Sequence, residues 1–222
     1  MKTGKLLAVS MVVAMILSVP CLMAEQIAPD DVRQAAVKGL QPFLNKIPEM
    51  SLGEYGFFPG DSLGTASLGD PFLVYTITPG ALDQYRTGLA VSSLITKTTM
   101  WYFPVLIAGQ PRAILVVDWL DNQWQAVSLG YAGLAKELGV LSRQWNASQG
   151  YHPVLIVVFQ AKQYLFTVPE KDSQNLTRLV TQERMATGQI KTTGNPAGDY
   201  ATLGVAAGVI EQLNPVVKDA LK

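Results

Sequence analysis

Cysteine and histidine are almost missing from this chain: its 222 residues hold one of each. The single histidine, His152, excludes any site built from several imidazoles, such as the three-histidine zinc centre. The single cysteine, Cys21, falls inside an N-terminal apolar segment, so the body of the chain is predicted to have neither disulfides nor thiolate chemistry. A surplus of charge is missing too. The 17 basic and 17 acidic residues balance, which removes the basic footprint of a nucleic-acid binder. At 49% hydrophobic and 15% charged, the composition also lacks the signature of a disordered chain.

No apolar run is long enough to span a bilayer, which takes about 20 residues. The longest, Leu6 to Leu17, follows Lys2 and Lys5 and precedes Ser18, Pro20 and Ala24. That order of basic, apolar and small-residue regions is the layout of a secretory signal peptide. Residues 1–24 are read as the signal, with cleavage after Ala24, although Leu22 is bulkier than the site prefers. Lipidation at Cys21 is disfavoured by Pro20, where the lipoprotein pattern wants Gly, Ala or Ser. Losing the signal takes two basic residues and no acid, leaving a slight acidic excess. The expected location is the periplasm or the exterior, and the absence of disulfides points to a bacterial host.

The remaining chain alternates helical and extended patterns. Apolar residues from Asp30 to Ile47 recur at three and four, which predicts a helix, kinked or divided near Gly39 by Pro42. Gly53 to Gly64 reads as a loop carrying Tyr55, Phe57 and Phe58. Strands are predicted over 72–78, 101–108, 113–119 and 123–129. The second and third should turn at Gly109–Arg112, and the third and fourth at Asp121–Asn122. Tyr131 to Trp145 returns to helical spacing.

Pro104-Val-Leu-Ile recurs as Pro153-Val-Leu-Ile, each followed by a turn and a second apolar strand. The echo is either an internal duplication or a chance recurrence of β-formers. Both readings give a hairpin followed by a helix, the second helix carried by Leu176, Leu179 and Val180. Residues 186–198 read as a linker and 199–222 as a C-terminal helix beyond the globular part at 25–185. The predicted class is α+β, an antiparallel sheet of hairpins packed on helices.

Chemistry is harder to find. The chain has no phosphate-binding loop, dinucleotide fingerprint, zinc-protease motif or nucleophile elbow. No metal or cofactor is expected. The one hydrolytic arrangement available joins His152 to a carboxylate, Asp118 or Asp121, and a serine, Ser62 or Ser67. Asp118 and Asp121 are read first as turn residues. Aromatic side chains make a better case for binding, because they supply large contact areas at small entropic cost. Tyr55, Phe57, Phe58, Trp101 and Tyr102, with Arg112 to orient an anion, form the candidate surface for a peptide, protein or small ligand; the rival reading of these aromatics is core packing. The expectation is therefore an exported, non-catalytic binding protein. A hydrolase and an envelope assembly component acting through the C-terminal helix are the alternatives.

Overall fold

The computed structural model describes residues 27–86, 89, 91–151, 153–168, 178–181 and 204–220. The segment 1–24 expected to be a signal, His152 and the stretch 186–198 expected to be a linker lie outside these residues. In chain order the elements are α1 (Asp30–Leu44), β1 (Ser67–Leu68), β2 (Phe72–Ile77), α2 (Pro79–Gln84), β3 (Ile95–Ile107), β4 (Gln110–Leu120) and β5 (Gln123–Gly130). There follow α3 (Ala132–Gln144), β6 (Val154–Val158), β7 (Gln163–Thr167), β8 (Arg178–Thr181), β9 (Gly204–Val205) and α4 (Ala206–Ala220). Short 3-10 turns lie between several of them, notably Glu49–Tyr55 and Leu63–Thr65.

The strands run in the order β5-β4-β3-β2-β6-β7-β8-β9, with β1 added beside β3. All described pairs are antiparallel except β2 with β6, which run parallel in the middle of the sheet. The fold is thus the expected α+β class, but its sheet is mixed. Thr76 of β2 reinforces the parallel seam by donating its Oγ1 hydrogen bond to the Val157 carbonyl at 2.7 Å.

Both hairpins of the β3-β4-β5 meander turn through two residues with positive φ. They are Ala108–Gly109 at 48° and 74°, and Asp121–Asn122 at 49° and 60°. Left-handed backbone at both positions matches the twist of antiparallel strands. The first turn is earlier than the sequence suggested, because Ile107 pairs directly with Gln110. Pro111 and Arg112 consequently belong to β4.

Pro104 sits inside β3, where a missing N–H would ordinarily break a ladder. Its carbonyl accepts from Gly69 N at 2.7 Å, so its nitrogen edge faces the side of β1 and β2. On that side β1 ends at Leu68 and β2 starts only at Phe72. The proline therefore occupies the gap where β3 exchanges one neighbour for another.

Helices cover both faces of the sheet. On one, α1, α2 and α4 bury Val32, Ala36, Leu40, Leu44, Leu82, Ile210, Leu213 and Val217 against Leu73, Phe103, Val105, Leu115 and Ile156. On the other, α3 buries Leu134, Ala135, Leu138 and Leu141 against Val74, Tyr102, Ile114, Val116, Leu155 and Phe166. Alternate strand residues feed the two clusters, as the period-two geometry requires. Such double burial explains the unbroken apolar run of β6, all five of whose residues are buried.

Three sequence expectations change. The stretch 178–181 is a strand paired with β7, so Leu179 and Val180 do not belong to a second helix; Leu176 lies outside the described residues. The C-terminal helix is part of the core rather than an appendage beyond it. Its buried residues join the α1-side cluster, and Lys218 lies 3.4 Å from Asp83. Pro42 falls in the last turn of α1, which continues only to Leu44, so no division occurs at Gly39. Among the described residues no helix is long and apolar enough to cross a membrane.

Candidate functional site

The candidate aromatic surface does not assemble. Trp101 and Tyr102 are successive residues of β3 and point to opposite faces, each only 4% exposed. Trp101 packs in the α1-side core and Tyr102 in the α3-side core. Phe57 is wholly buried, and Tyr55 is half-buried against the same α1-side core. Phe58 remains half exposed. The core reading of these aromatics therefore holds for Phe57, Trp101 and Tyr102, which have no surface to offer a ligand.

Arg112 is occupied as well. Its Nε donates to Asp61 Oδ2 at 2.9 Å and its Nη2 to Asp61 Oδ1 at 3.2 Å, a fork on one carboxylate. Its guanidinium carbon lies 4.5 Å from the centre of the Phe58 ring. Asp61 also accepts from Phe58 N at 2.9 Å. Chiefly through the Arg112 hydrogen bonds, its carboxyl is held below the ordinary aspartate value. Gly56, at φ 91°, lets the loop approach the Arg112 carbonyl and Ala132, where a Cβ would overlap both. Arg112 thus fastens the aromatic loop instead of waiting for an anion.

Of the hydrolytic arrangement, His152 lies outside the described residues, and Ser67 and Asp118 are not brought together. Ser67 stands opposite Leu106 on β3, while Asp118 follows Val117, which stands opposite Trp101. The intervening stretch of β3, at about 3.3 Å per residue, places them about 20 Å apart along the strand. Asp118 accepts instead from Thr99 Oγ1 and from Trp119 N. Asp121 is an exposed turn residue with left-handed backbone, and the Ser62 carbonyl caps a turn by accepting from Thr65. Among the described residues no three His, Cys, Asp or Glu side chains converge as a metal site would need.

Three tyrosines meet at the start of α3. Tyr131 has left-handed backbone at φ 59° and ψ 46°, and its ring lies 6.1 Å from that of Tyr102 and 6.5 Å from that of Tyr164. Burial first, then the neighbouring Tyr164, Tyr131 and Asp118, pushes the Tyr102 phenol far above its usual value. Burial likewise raises Tyr164. The Tyr102 and Tyr164 hydroxyls are therefore held protonated at neutral pH, and the ring contacts make the cluster a packing feature.

What remains open lies on the other face. A cleft of about 490 Å³ runs between α1 and the segment Ala66–Gly69. Arg33, Val37 and Gln41 come from α1 at intervals of four residues, one row along the helix. Leu40 and Phe103, both buried, line it from the core. Ser67, Leu68 and Ala66 make the opposite wall. Gln41 donates from Nε2 to the Leu63 carbonyl at 3.4 Å, and Arg33 donates from Nε to the Ala28 carbonyl at 3.2 Å. Each thereby ties a neighbouring segment to α1. Val37 is an aliphatic residue left 66% exposed beside the cleft.

No family model matches this chain, and neither does any curated protein or solved structure. The geometry of the cleft therefore has to carry the functional reading. Sequence reasoning selected only Ser67 of its lining, and as a nucleophile. One signal was available: Val37 repeats at four residues with Arg33 and Gln41, just off the buried stripe Val32, Ala36, Leu40 and Leu44. The other wall, from a two-residue strand and the turns around it, has no periodic signature to read.

Proposed function

We propose that this is an exported bacterial binding protein without catalytic activity, seating a small, largely apolar ligand in the cleft between α1 and β1. One observation carries the reading: the cleft has the volume of small-molecule sites, a lining mostly of Val37, Leu40, Ala66, Leu68 and Phe103, and a few polar groups at its margins. Export rests on the signal pattern of residues 1–24, with the mature chain starting at Glu25. The periplasm or the exterior is where such a protein would meet its ligand. The hydrolase alternative finds no support in Ser67 with Asp118, which are far apart along β3.

The test uses mature protein from the envelope fraction and the neutral fluorophore N-phenyl-1-naphthylamine. Saturable binding to a single site, removed by Ser67→Phe in a protein that unfolds at the same temperature, is the expected result. Ser67 is exposed on the cleft wall, so the bulky ring fills the cleft without entering the core. No saturable binding, or binding indifferent to Ser67→Phe, would sink the assignment.

A further inference from the structure

We infer that the ligand of this cleft is a single-chain amphiphile with a carboxylate head, its chain along Val37, Leu40 and Phe103 and its head at Arg33. The inference rests on the cleft being a binding site and adds the chemical class that it takes. Arg33 is the only charged residue in the lining, which holds no acid. Asp30 and Asp31 precede it in the helix but do not line the cleft. An anionic head would therefore meet one cation and no repelling carboxylate within the cleft.

The attachment of Arg33 matters. A guanidinium has five N–H donors in a planar fork. Among the described residues, the side chain of Arg33 makes one hydrogen bond, from Nε to the Ala28 carbonyl. That bond restrains the side chain while its two terminal amino groups keep the parallel geometry that fits a carboxylate. This differs from Arg112, whose fork is already closed on Asp61.

Shape sets the rest. The row from Arg33 to Gln41 spans about 12 Å at 1.5 Å per helical residue. Beyond Arg33 the row continues with Val37, and Gln41 is bound to the Leu63 carbonyl where the 3-10 turn begins. The charged group thus stands at one end, with aliphatic and aromatic surface along the remaining length. A straight chain of about ten carbons, with bonds near 1.5 Å, matches that span.

Displacement of N-phenyl-1-naphthylamine by decanoate and by decanol, at pH 7.5, separates head from chain. In the unaltered protein decanoate should displace the probe at roughly ten-fold lower concentration than decanol, the preference expected of a charge-assisted pair. Arg33→Gln should bring the two together by weakening decanoate alone. Val37→Glu, at an exposed position, should weaken decanoate more than decanol even if Arg33→Gln folds poorly. Equal displacement in the unaltered protein overturns the carboxylate assignment and leaves the binding role standing. Probe binding with no displacement by either compound overturns the single-chain class. The underlying role falls only if the probe fails to bind or binds indifferently to Ser67→Phe.

Discussion

Arg112 of β4 closes on Asp61 through two hydrogen bonds, Nε to Oδ2 at 2.9 Å and Nη2 to Oδ1 at 3.2 Å, linking residues 51 positions apart. The pair holds the segment from Tyr55 to Asp61 down over the core, into which the segment's own Phe57 is wholly buried. Arg112, which the sequence offered as a group to orient an anion, is thereby spent on Asp61.

The consequence for stability has a definite sign. Asp61 has a folded-state pKa below its unfolded value, so its contribution is complete above the unfolded pKa near 4 and is lost as pH falls through the lower, folded value. Urea midpoints measured from pH 7 to pH 2.5 should fall at the acid end, and Asp61→Asn should flatten that fall. At pH 7, Arg112→Ala should cost about 1–3 kcal/mol by leaving the largely covered carboxylate without its main partner. An unchanged midpoint at pH 7 would show that the pair does not hold the loop.

The C-terminal helix gives a second test. Ile210, Leu213 and Val217 are buried in the α1-side core, at 0%, 6% and 2% exposure. Their spacing of three and four was visible in the sequence, yet it is equally the pattern of a helix docked on a partner. Leu213→Ala should destabilise the whole protein by about 2–5 kcal/mol in a single cooperative transition. An appended partner-binding helix would instead leave the main transition where it was.

How much was legible depended on where the deciding interaction lay. The β3-β4-β5 meander and α3 follow from short-range rules: two-residue turns, an apolar alternation, and a helical stripe from Leu134 to Leu141. The strand at Arg178–Thr181 and the parallel partnership of β2 with β6 come from pairings between distant segments, and non-local partners override local spacing. The aromatics misled for a related reason. Trp101 and Tyr102 look like one cluster along the chain, but the pleat sends them into two separate cores. The cleft was hidden because one wall is made where β1 is added beside β3, a contact that no periodicity announces.

Tyr131 offers a test of backbone against ring. Its left-handed conformation favours glycine, whereas its ring joins the Tyr102 and Tyr164 contacts. Tyr131→Ala loses the ring and keeps the strain, while Tyr131→Gly loses the ring and relieves it. The glycine variant should be the more stable of the two by about 1 kcal/mol in thermal or urea unfolding. Equal stabilities would mean that the conformation stores no cost.

Gly39 connects the fold to the cleft. It lies on α1, and a Cβ there would overlap that of Ala126 on β5. Replacing an interior helical glycine with alanine ordinarily favours a helix by about 1 kcal/mol. Here Gly39→Ala should instead destabilise by about 1–3 kcal/mol, because the contact leaves no room for the added methyl. Adding Ala126→Gly should recover much of that loss, a coupling that a double-mutant cycle measures directly. The same cycle reads the cleft, since Val37 and Leu40 flank Gly39 and α1 supplies one wall. Probe affinity should fall with Gly39→Ala and return with the second substitution. Affinity that ignores both substitutions would place the bound probe somewhere other than against α1.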